Sequence, residues 1–441
     1  MRKIKLIAIS LLLYCINANA QVSYTLDEAV QYALQNSTQI RSAQLNSAET
    51  RNLAYKAITE GLPKVNGKLE YTNNWQIGSN VIVFKDPITG ESSSSIIEFG
   101  TPHQTDLFFD ASQLLVDGRY FVGLKARKSI IKSSELQFEM ERIALVESVK
   151  SAYFAALAAD EAVELLMTNL ESLNAVLRET TLLYENGFAE ELDVDRLKLN
   201  KANLISRIQT AENQEKNSLN ALKFQIGVPL TQEITLSESL NFFTEQLQFD
   251  ELLLPDPMFR VEYRLLQNRK LLRQYDITQK KAGYYPTLYA FAKLGTSAFR
   301  EEFDFTSQDE KWFSNGAAGL TLNIPIFDGL SRNSSIQESR IKLEMSKNEI
   351  AQFEQSLELE VSSAYSDYLT AFDNYRNLTE NVGLAQKIFD KTTIMYREGV
   401  GSSLDLANAE SELTSTQINY INSIYELMIT KTRLDKSLGK L

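Results

Sequence analysis

Histidine and cysteine occur once each in this 441-residue chain, as His103 and Cys15. Without a second thiol there is no disulfide framework. One imidazole beside Pro102, in a polar stretch read as a loop, brings no cluster of metal ligands with it. No Gly-rich phosphate loop and no convergent carboxylate motif is present, so the usual starting points for an enzyme or a cofactor site are missing. A basic excess is missing too. Lys plus Arg number 45 against 57 for Asp plus Glu, which excludes nucleic acid as a partner, because that role needs a concentrated positive surface. Beyond the first 20 residues there is no apolar run of about 18, so entry into a membrane would have to be by β-strands. Glycine and proline are scarce, at 18 and 8. Together with long polar–apolar periodic stretches, that scarcity points to a mostly helical protein.

The chain opens with Arg2, Lys3 and Lys5, an apolar stretch from Leu6 to Ile16, and Ala18-Asn19-Ala20. This is the pattern of a signal peptide over residues 1–20, cleaved before Gln21. Cys15 follows Tyr14, where lipid attachment would want a small residue, so it reads as part of the leader. Loss of Arg2, Lys3 and Lys5 takes the net charge from -12 to -15.

An internal repeat organises the rest. Asp117-Gly118 recurs as Asp328-Gly329, Ser151-Ala152-Tyr153 as Ser363-Ala364-Tyr365, and Tyr184-Glu185-Asn186-Gly187 as Tyr396-Arg397-Glu398-Gly399. Leu192-Asp193 recurs as Leu404-Asp405, and Leu222 and Gly227 as Leu434 and Gly439. The offset is 211 at the first pair and 212 afterwards; upstream, Leu62-Pro63 answers to Tyr285-Pro286 at a looser offset. The chain therefore divides into residues 21–227, a connector over 228–257 with Pro229, Pro255 and Pro257, and residues 258–441.

Each half reads as helix, strand, loop, strand, very long helix, turn, helix. Thr25 with Glu28 is a capping-box pattern opening a helix that runs to about Glu60. From Val65 to Trp75 the period changes to two, giving a strand with one apolar and one polar face. Further strands are expected over 106–116, over 287–297 with blurred alternation, and over 316–326. The joining segments 77–103 and 298–314 read as polar loops. Continuous helix from Asp117-Gly118 to Gly187 would be about 100 Å long. Residues 26–60 and 190–226 together number 72 against 68 for 119–186; residues 258–283 and 402–438 give 63 against 67 for 330–396. Two short helices laid end to end thus match, in each half, one long helix that runs the other way. Four strands cannot close a membrane barrel, and open edges are not tolerated in lipid. Two copies would supply 8 strands and three would supply 12, each a closed number of the kind barrels use, about 8 or more.

These residues resemble a known family. Thr25-Leu26-Asp27-Glu28-Ala29 with Ala33-Leu34-Gln35-Asn36-Ser37, the Leu62-Pro63 stop, the doubled Asp-Gly steps and the paired Tyr-x-x-Gly turns followed by Leu-Asp are similar to TolC-type outer-membrane efflux proteins. The resemblance spans residues 24–441 in order. It implies a homotrimer in the outer membrane, with a 12-stranded β-barrel to which each chain adds four strands, and a periplasmic α-barrel of long antiparallel helices. It also implies a passive duct without a cofactor, docked onto a periplasmic adaptor protein and driven by an inner-membrane pump of the resistance-nodulation-division, ABC or major-facilitator class.

Carried over by position, Asp193, Asp405 and Tyr396 fall at the family's periplasmic aperture. Asn408 stands where a second aspartate can occur, and Gly401 where an arginine can tether the closed state. Asp193 and Asp405 also suit the first turn of a helix simply as carboxylates near its positive end. The tips, with Gly187, Phe188, Leu192, Gly399, Val400 and Leu404, would meet the helical hairpin of the adaptor. Tyr71, Trp75 and Phe109 fit an aromatic belt at the lipid interface. The competing reading is an exported coiled-coil spacer without a channel, which would need no amphipathic strands at matched places. An adaptor would carry one helical hairpin rather than two.

Overall fold

A computed structural model of the chain describes residues 22–85, 87–88, 90–245, 256–306 and 311–441. The leader, Cys15 and part of the connector lie outside those residues. In chain order the elements are β1 (Val22–Tyr24), α1 (Leu26–Asn36), α2 (Thr38–Thr59), β2 (Lys64–Asn73), β3 (Ser79–Lys85), β4 (Ser92–Glu98), β5 (His103–Val116) and α3 (Gly118–Glu185). There follow α4 (Glu191–Ile226), β6 (Ile234–Leu236), α5 (Leu240–Glu245), α6 (Val261–Ala282), β7 (Thr287–Arg300), β8 (Phe313–Asn323), α7 (Ser331–Arg397) and α8 (Ser403–Ser437). The long helices α3 and α7 run unbroken for 68 and 67 residues.

The chain forms two compact units, each drawing on both sequence halves. The first takes residues up to Ala48, Ser133–Gln267 and Asn348–Leu441; the second takes Glu49–Lys132 and Asn268–Lys347.

In the first unit, Thr25 caps α1 as its spacing to Glu28 predicts. Its Oγ1 accepts from the Glu28 amide at 3.2 Å, and the Glu28 carboxylate accepts from the Thr25 amide at 2.9 Å. The expected single helix over 25–60 is broken, however, at Ser37, whose ψ of 133° is extended. The break makes room for the end of α4. A Cβ on Gly227 would come within 2.9 Å of the Asn36 carbonyl oxygen. The same packing recurs in the second half, where a Cβ on Gly439 would meet Phe259 at 3.0 Å. Phe259 ends a short 3₁₀ turn just before α6. The core centres on Tyr153, fully buried on α3, with Leu222, Ile226, Tyr368, Ile424 and Leu427 around it. Its hydroxyl lies 3.0 Å from both the Tyr24 carbonyl and the Glu238 carboxylate. Burial pushes this phenol well above its ordinary range, with Glu238 adding to the effect. β1 pairs in parallel with β6 inside the connector, which therefore has structure of its own.

In the second unit a four-stranded antiparallel sheet is ordered β2-β5-β7-β8, leaving β2 and β8 as edges. The Asp-Gly steps that follow β5 and β8 are helix starts. Asp117 accepts from the Arg119 amide at 2.7 Å, and Asp328 from the Arg332 amide at 2.9 Å. Segment 77–103 differs from the loop expected of it. β3 and β4 form an antiparallel hairpin there, with Val81 opposite Ile96 and Phe84 opposite Ser93. His103 is likewise no loop residue. It begins β5, paired with Asn73 on one side and Arg300 on the other. The strand over 287–297 extends to Arg300, and the one expected over 316–326 ends at Asn323.

Candidate functional sites: an amphipathic sheet and paired helical tips

Strand alternation sorts the sheet into two unlike faces. One carries Val65, Leu69 and Tyr71 from β2, Leu107 and Phe109 from β5, Leu294 from β7, and Leu320 and Leu322 from β8, which pairing register places side by side. All of these except Leu107 are exposed, Leu69 at 71%. The opposite face carries Lys68, Glu70, Asp106, Asp110, Lys293 and Ser297, with Ser297 donating to Asp106 at 2.5 Å. Phe108 and Phe291 interrupt that polar face. Each ring covers a glycine on the neighbouring strand: Phe108 lies over Gly295 and Phe291 over Gly319. Phe291, itself on β7, accounts for the blurred alternation of that strand. A water-soluble sheet buries its apolar face; this one displays it, which is the pattern of a strand set made for lipid. Among the described residues no helix is long and apolar enough to cross a membrane.

Tyr71 sits at the loop end of the sheet. Its hydroxyl is 2.8 Å from His103 Nδ1, and its ring meets Phe303 and Phe305 edge-on at 5.3 and 5.8 Å. Trp75 lies just past the end of β2 and is 94% exposed. Phe109 is in mid-strand, between Gly67 and Leu294. Among the described residues no group of three His, Cys, Asp or Glu could hold a metal ion.

The two helical tips, both in the first unit, are built alike. Gly187 at φ +80° and Gly399 at φ +73° turn the chain, a geometry that a side chain would disfavour. The amides of Phe188 and Val400 then donate back to Leu183 and Met395 at 2.8 and 3.0 Å. Phe188, Leu192, Val400 and Leu404 are all exposed, Phe188 at 81%. Asp193 and Asp405 occupy the same place in the first turns of α4 and α8. Asp193 accepts from the Glu190 amide at 3.3 Å, and Asp405 from the Ser402 hydroxyl at 2.6 Å. The Asp193 carboxylate thus satisfies an amide at the start of α4, whereas at the start of α8 the Ser402 hydroxyl accepts from the Asp405 amide at 3.1 Å. Asn408 is exposed one turn further along α8. At Gly401 a Cβ would sit 3.0 Å from the Tyr396 amide nitrogen, so the tethering arginine of the resemblance has no room without a backbone shift.

Ties between the two tips come from residues that the sequence reading singled out only in part. Tyr396 donates to Thr180 at 3.2 Å, Arg397 pairs with Glu179 at 3.0 Å, and Arg196 donates to Ser403 at 3.2 Å. Burial raises the Tyr396 phenol, and Asp193 and Glu179 add to the rise. Thr180, Glu179, Arg196 and Ser403 carry no motif. Each finds its partner more than 200 residues away, and only the equivalence of the two turns hints that they meet.

Comparison with known proteins agrees with this anatomy. The TolC outer membrane protein of Escherichia coli (strain K12) is 22% identical over 407 residues, covering 90% of this chain and 79% of that protein. A probable efflux pump outer membrane protein of Pseudomonas putida, TtgC, is 26% identical over 320 residues, covering 70% and 63%. The open-state MtrE outer membrane channel of Neisseria gonorrhoeae superimposes with a TM-score of 0.70 at 19% identity, covering 94% of this chain and 88% of that one. Residues 29–228 and 267–440 match the family described as outer membrane efflux protein, and with most of its length accounted for in that way, the chain is a member of the family.

Proposed function

We propose that this protein is the outer-membrane channel of an efflux or secretion system, a passive homotrimeric duct without enzymatic activity. The observation that carries this reading is the four-stranded sheet with an exposed apolar face and two free edges. Such a sheet is satisfied only by lipid on that face and by further strands at its edges. In this reading residues 1–20 are a leader, 21–227 and 258–441 are the two repeats and 228–257 is the connector. Three chains give a 12-stranded barrel and a tunnel of helices. Asp193, Tyr396, Asp405 and Asn408 then border the periplasmic aperture. Phe188, Leu192, Val400 and Leu404 around Gly187 and Gly399 present apolar anchors to a periplasmic adaptor, which links the duct to an inner-membrane pump. Tyr71, Trp75 and Phe109 belong to the aromatic belt that meets outer-membrane lipid.

The test is the conductance of purified protein in a planar lipid bilayer, with native mass measured on the same sample. A trimeric mass with discrete, salt-dependent current steps is expected. A monomer or dimer that never conducts would favour the helical-spacer reading instead.

A further inference from the structure

The helices that carry the sheet are charged against the trend of the chain. All four join the sheet at one end, since the pairing register sets Lys64 beside Ser112, Val116 beside Leu288 and Thr287 beside Asn323. The parts of α2, α3, α6 and α7 that belong to the second unit are residues 49–59, 118–132, 268–282 and 331–347. They hold 16 Lys and Arg against 4 Asp and Glu. Residues 21–48, 133–267 and 348–441, the first unit without the leader, hold 20 against 39. Charge on a helix is ordinarily just a solvated face. In this chain, however, solvated faces are acidic by default, so a basic zone confined to one end of the sheet needs a cause of its own.

Some of these cations have local partners. Arg119 bonds Asp117 at 2.8 Å, Arg332 lies 3.5 Å from Asp328, and Lys342 and Lys347 pair with Glu338 and Glu344. Lys56, Lys125, Lys280 and Lys281 are different. Each is exposed, and none takes part in an ion pair among the described residues. All four stand close to the sheet. Lys280 and Lys281 are in the last turn of α6 and Lys56 in the last turn of α2. Lys125 is seven residues into α3, about 10 Å along its axis. Tyr55, Phe121, Tyr284 and Tyr285 are interleaved with them along the chain, and all are exposed.

We infer that Lys56, Lys125, Lys280 and Lys281 bind the phosphate headgroups of anionic phospholipid in the leaflet next to these helices. The inference rests on the duct reading and adds a lipid class to it. Lipid is favoured over other polyanions because the basic zone begins where the exposed apolar face of the sheet ends, so it continues a membrane surface. A lysine stem lies along apolar surface while its ammonium reaches the headgroups, and tyrosine settles at the same depth. The reach of an exposed charge, about 8–10 Å at ordinary salt, also matches the closeness of the four lysines to the sheet.

Native mass spectrometry of the purified protein tests this, after equilibration in detergent with equal amounts of phosphatidylglycerol and phosphatidylcholine. The wild type should retain the anionic lipid with a preference of at least about fivefold, the contribution of one well-placed lysine at an anionic surface. Most of that preference should vanish at about 1 M salt, where charges are screened within about 3 Å. Combining Lys56→Gln, Lys125→Gln, Lys280→Gln and Lys281→Gln should abolish it, whereas Arg at the same four positions should keep it. Combining Lys198→Gln, Lys216→Gln, Lys387→Gln and Lys391→Gln makes the same change of charge in the first unit and should keep it too.

A preference that survives high salt or the first Gln combination overturns the inference, as does an equal loss in the first-unit control. The reversal potential under a salt gradient, in a neutral phosphatidylcholine bilayer, is read on the same variants. A shift caused by the first combination without loss of lipid preference would put these lysines on the tunnel wall instead. In each of these cases a wild type that conducts leaves the duct standing. A wild type that neither conducts nor retains either lipid overturns both.

Discussion

The two compact units solve the burial problem in opposite ways. In the first, helices from both halves wrap their apolar stripes around Tyr153, Leu222, Ile424 and Leu427, and all three buried hydrophobic clusters of the described residues lie there. In the second, the sheet turns its large apolar side chains outward: Val65, Leu69, Leu294 and Leu320 are each more than half exposed. A sheet of this kind has no core of its own. The first unit draws its stability from contacts within the chain, whereas the second has to draw it from lipid and from neighbouring strands. Burial is thus the organising feature of the first unit away from its tips, and exposure the working feature of the second.

The strongest way to break the comparison is to place a charge on the outward face of the sheet. Leu294→Arg is expected to abolish assembly in the outer membrane, because a mid-membrane arginine costs about 2–4 kcal/mol per copy. Lys293→Gln, one residue away on the polar face, should assemble normally. Fractionation of membranes, with the folded oligomer detected by gel mobility, compares them. Equal assembly of the two variants would mean that the faces are assigned the wrong way round.

Truncation probes the other side of the contrast. Leu427→Ala in the first unit should cost about 2–5 kcal/mol, as a cavity in a packed core does. Leu294→Ala, which removes the same atoms from an exposed site, should cost less than about 1 kcal/mol in detergent, within the range of surface changes. Denaturant unfolding of the solubilised protein reads both; similar losses would erase the distinction between the units.

How much of this could be read beforehand varied with the same physics. β2 and β5 were legible because one face turned apolar at every second residue, and the Asp-Gly steps marked the starts of α3 and α7. β7 is blurred because Phe291 stands on the polar face, where it covers Gly319, a pairing that only the cross-strand register reveals. The break at Ser37 hid inside an unbroken helical pattern, since its cause is Gly227, which packs there from far along the chain. The β3–β4 hairpin lies in a stretch that reads as a polar loop, although Val81-Ile82-Val83-Phe84 offers a β-rich run beside the turn residues Pro87 and Gly90. At the tips the turn glycines and the two aspartates were legible from the repeat. The ties through Thr180 and Ser403 were not, because serine and threonine are common and their partners lie 216 and 207 residues away.

A smaller effect sharpens the idea that the first unit alone has an interior. Glu161 on α3 is partly buried beside Glu164 and Asp160; burial, then these neighbouring carboxylates, raises its pKa above the ordinary glutamate value. A carboxyl raised in this way holds its proton longer in the folded chain than in the unfolded one. Below the ordinary carboxylate range both states are protonated and the penalty is absent. As pH rises through the raised value the folded chain must carry a buried charge, and stability falls. Glu161→Gln removes that charge. It is therefore expected to raise the melting temperature at pH 8, to leave it nearly unchanged at pH 4, and to flatten the stability profile between them. Thermal unfolding at the two pH values checks this. Equal shifts at both would trace the effect to packing of the amide rather than to titration, and the interior around Glu161 would have to be counted as open to water, like the faces of the sheet.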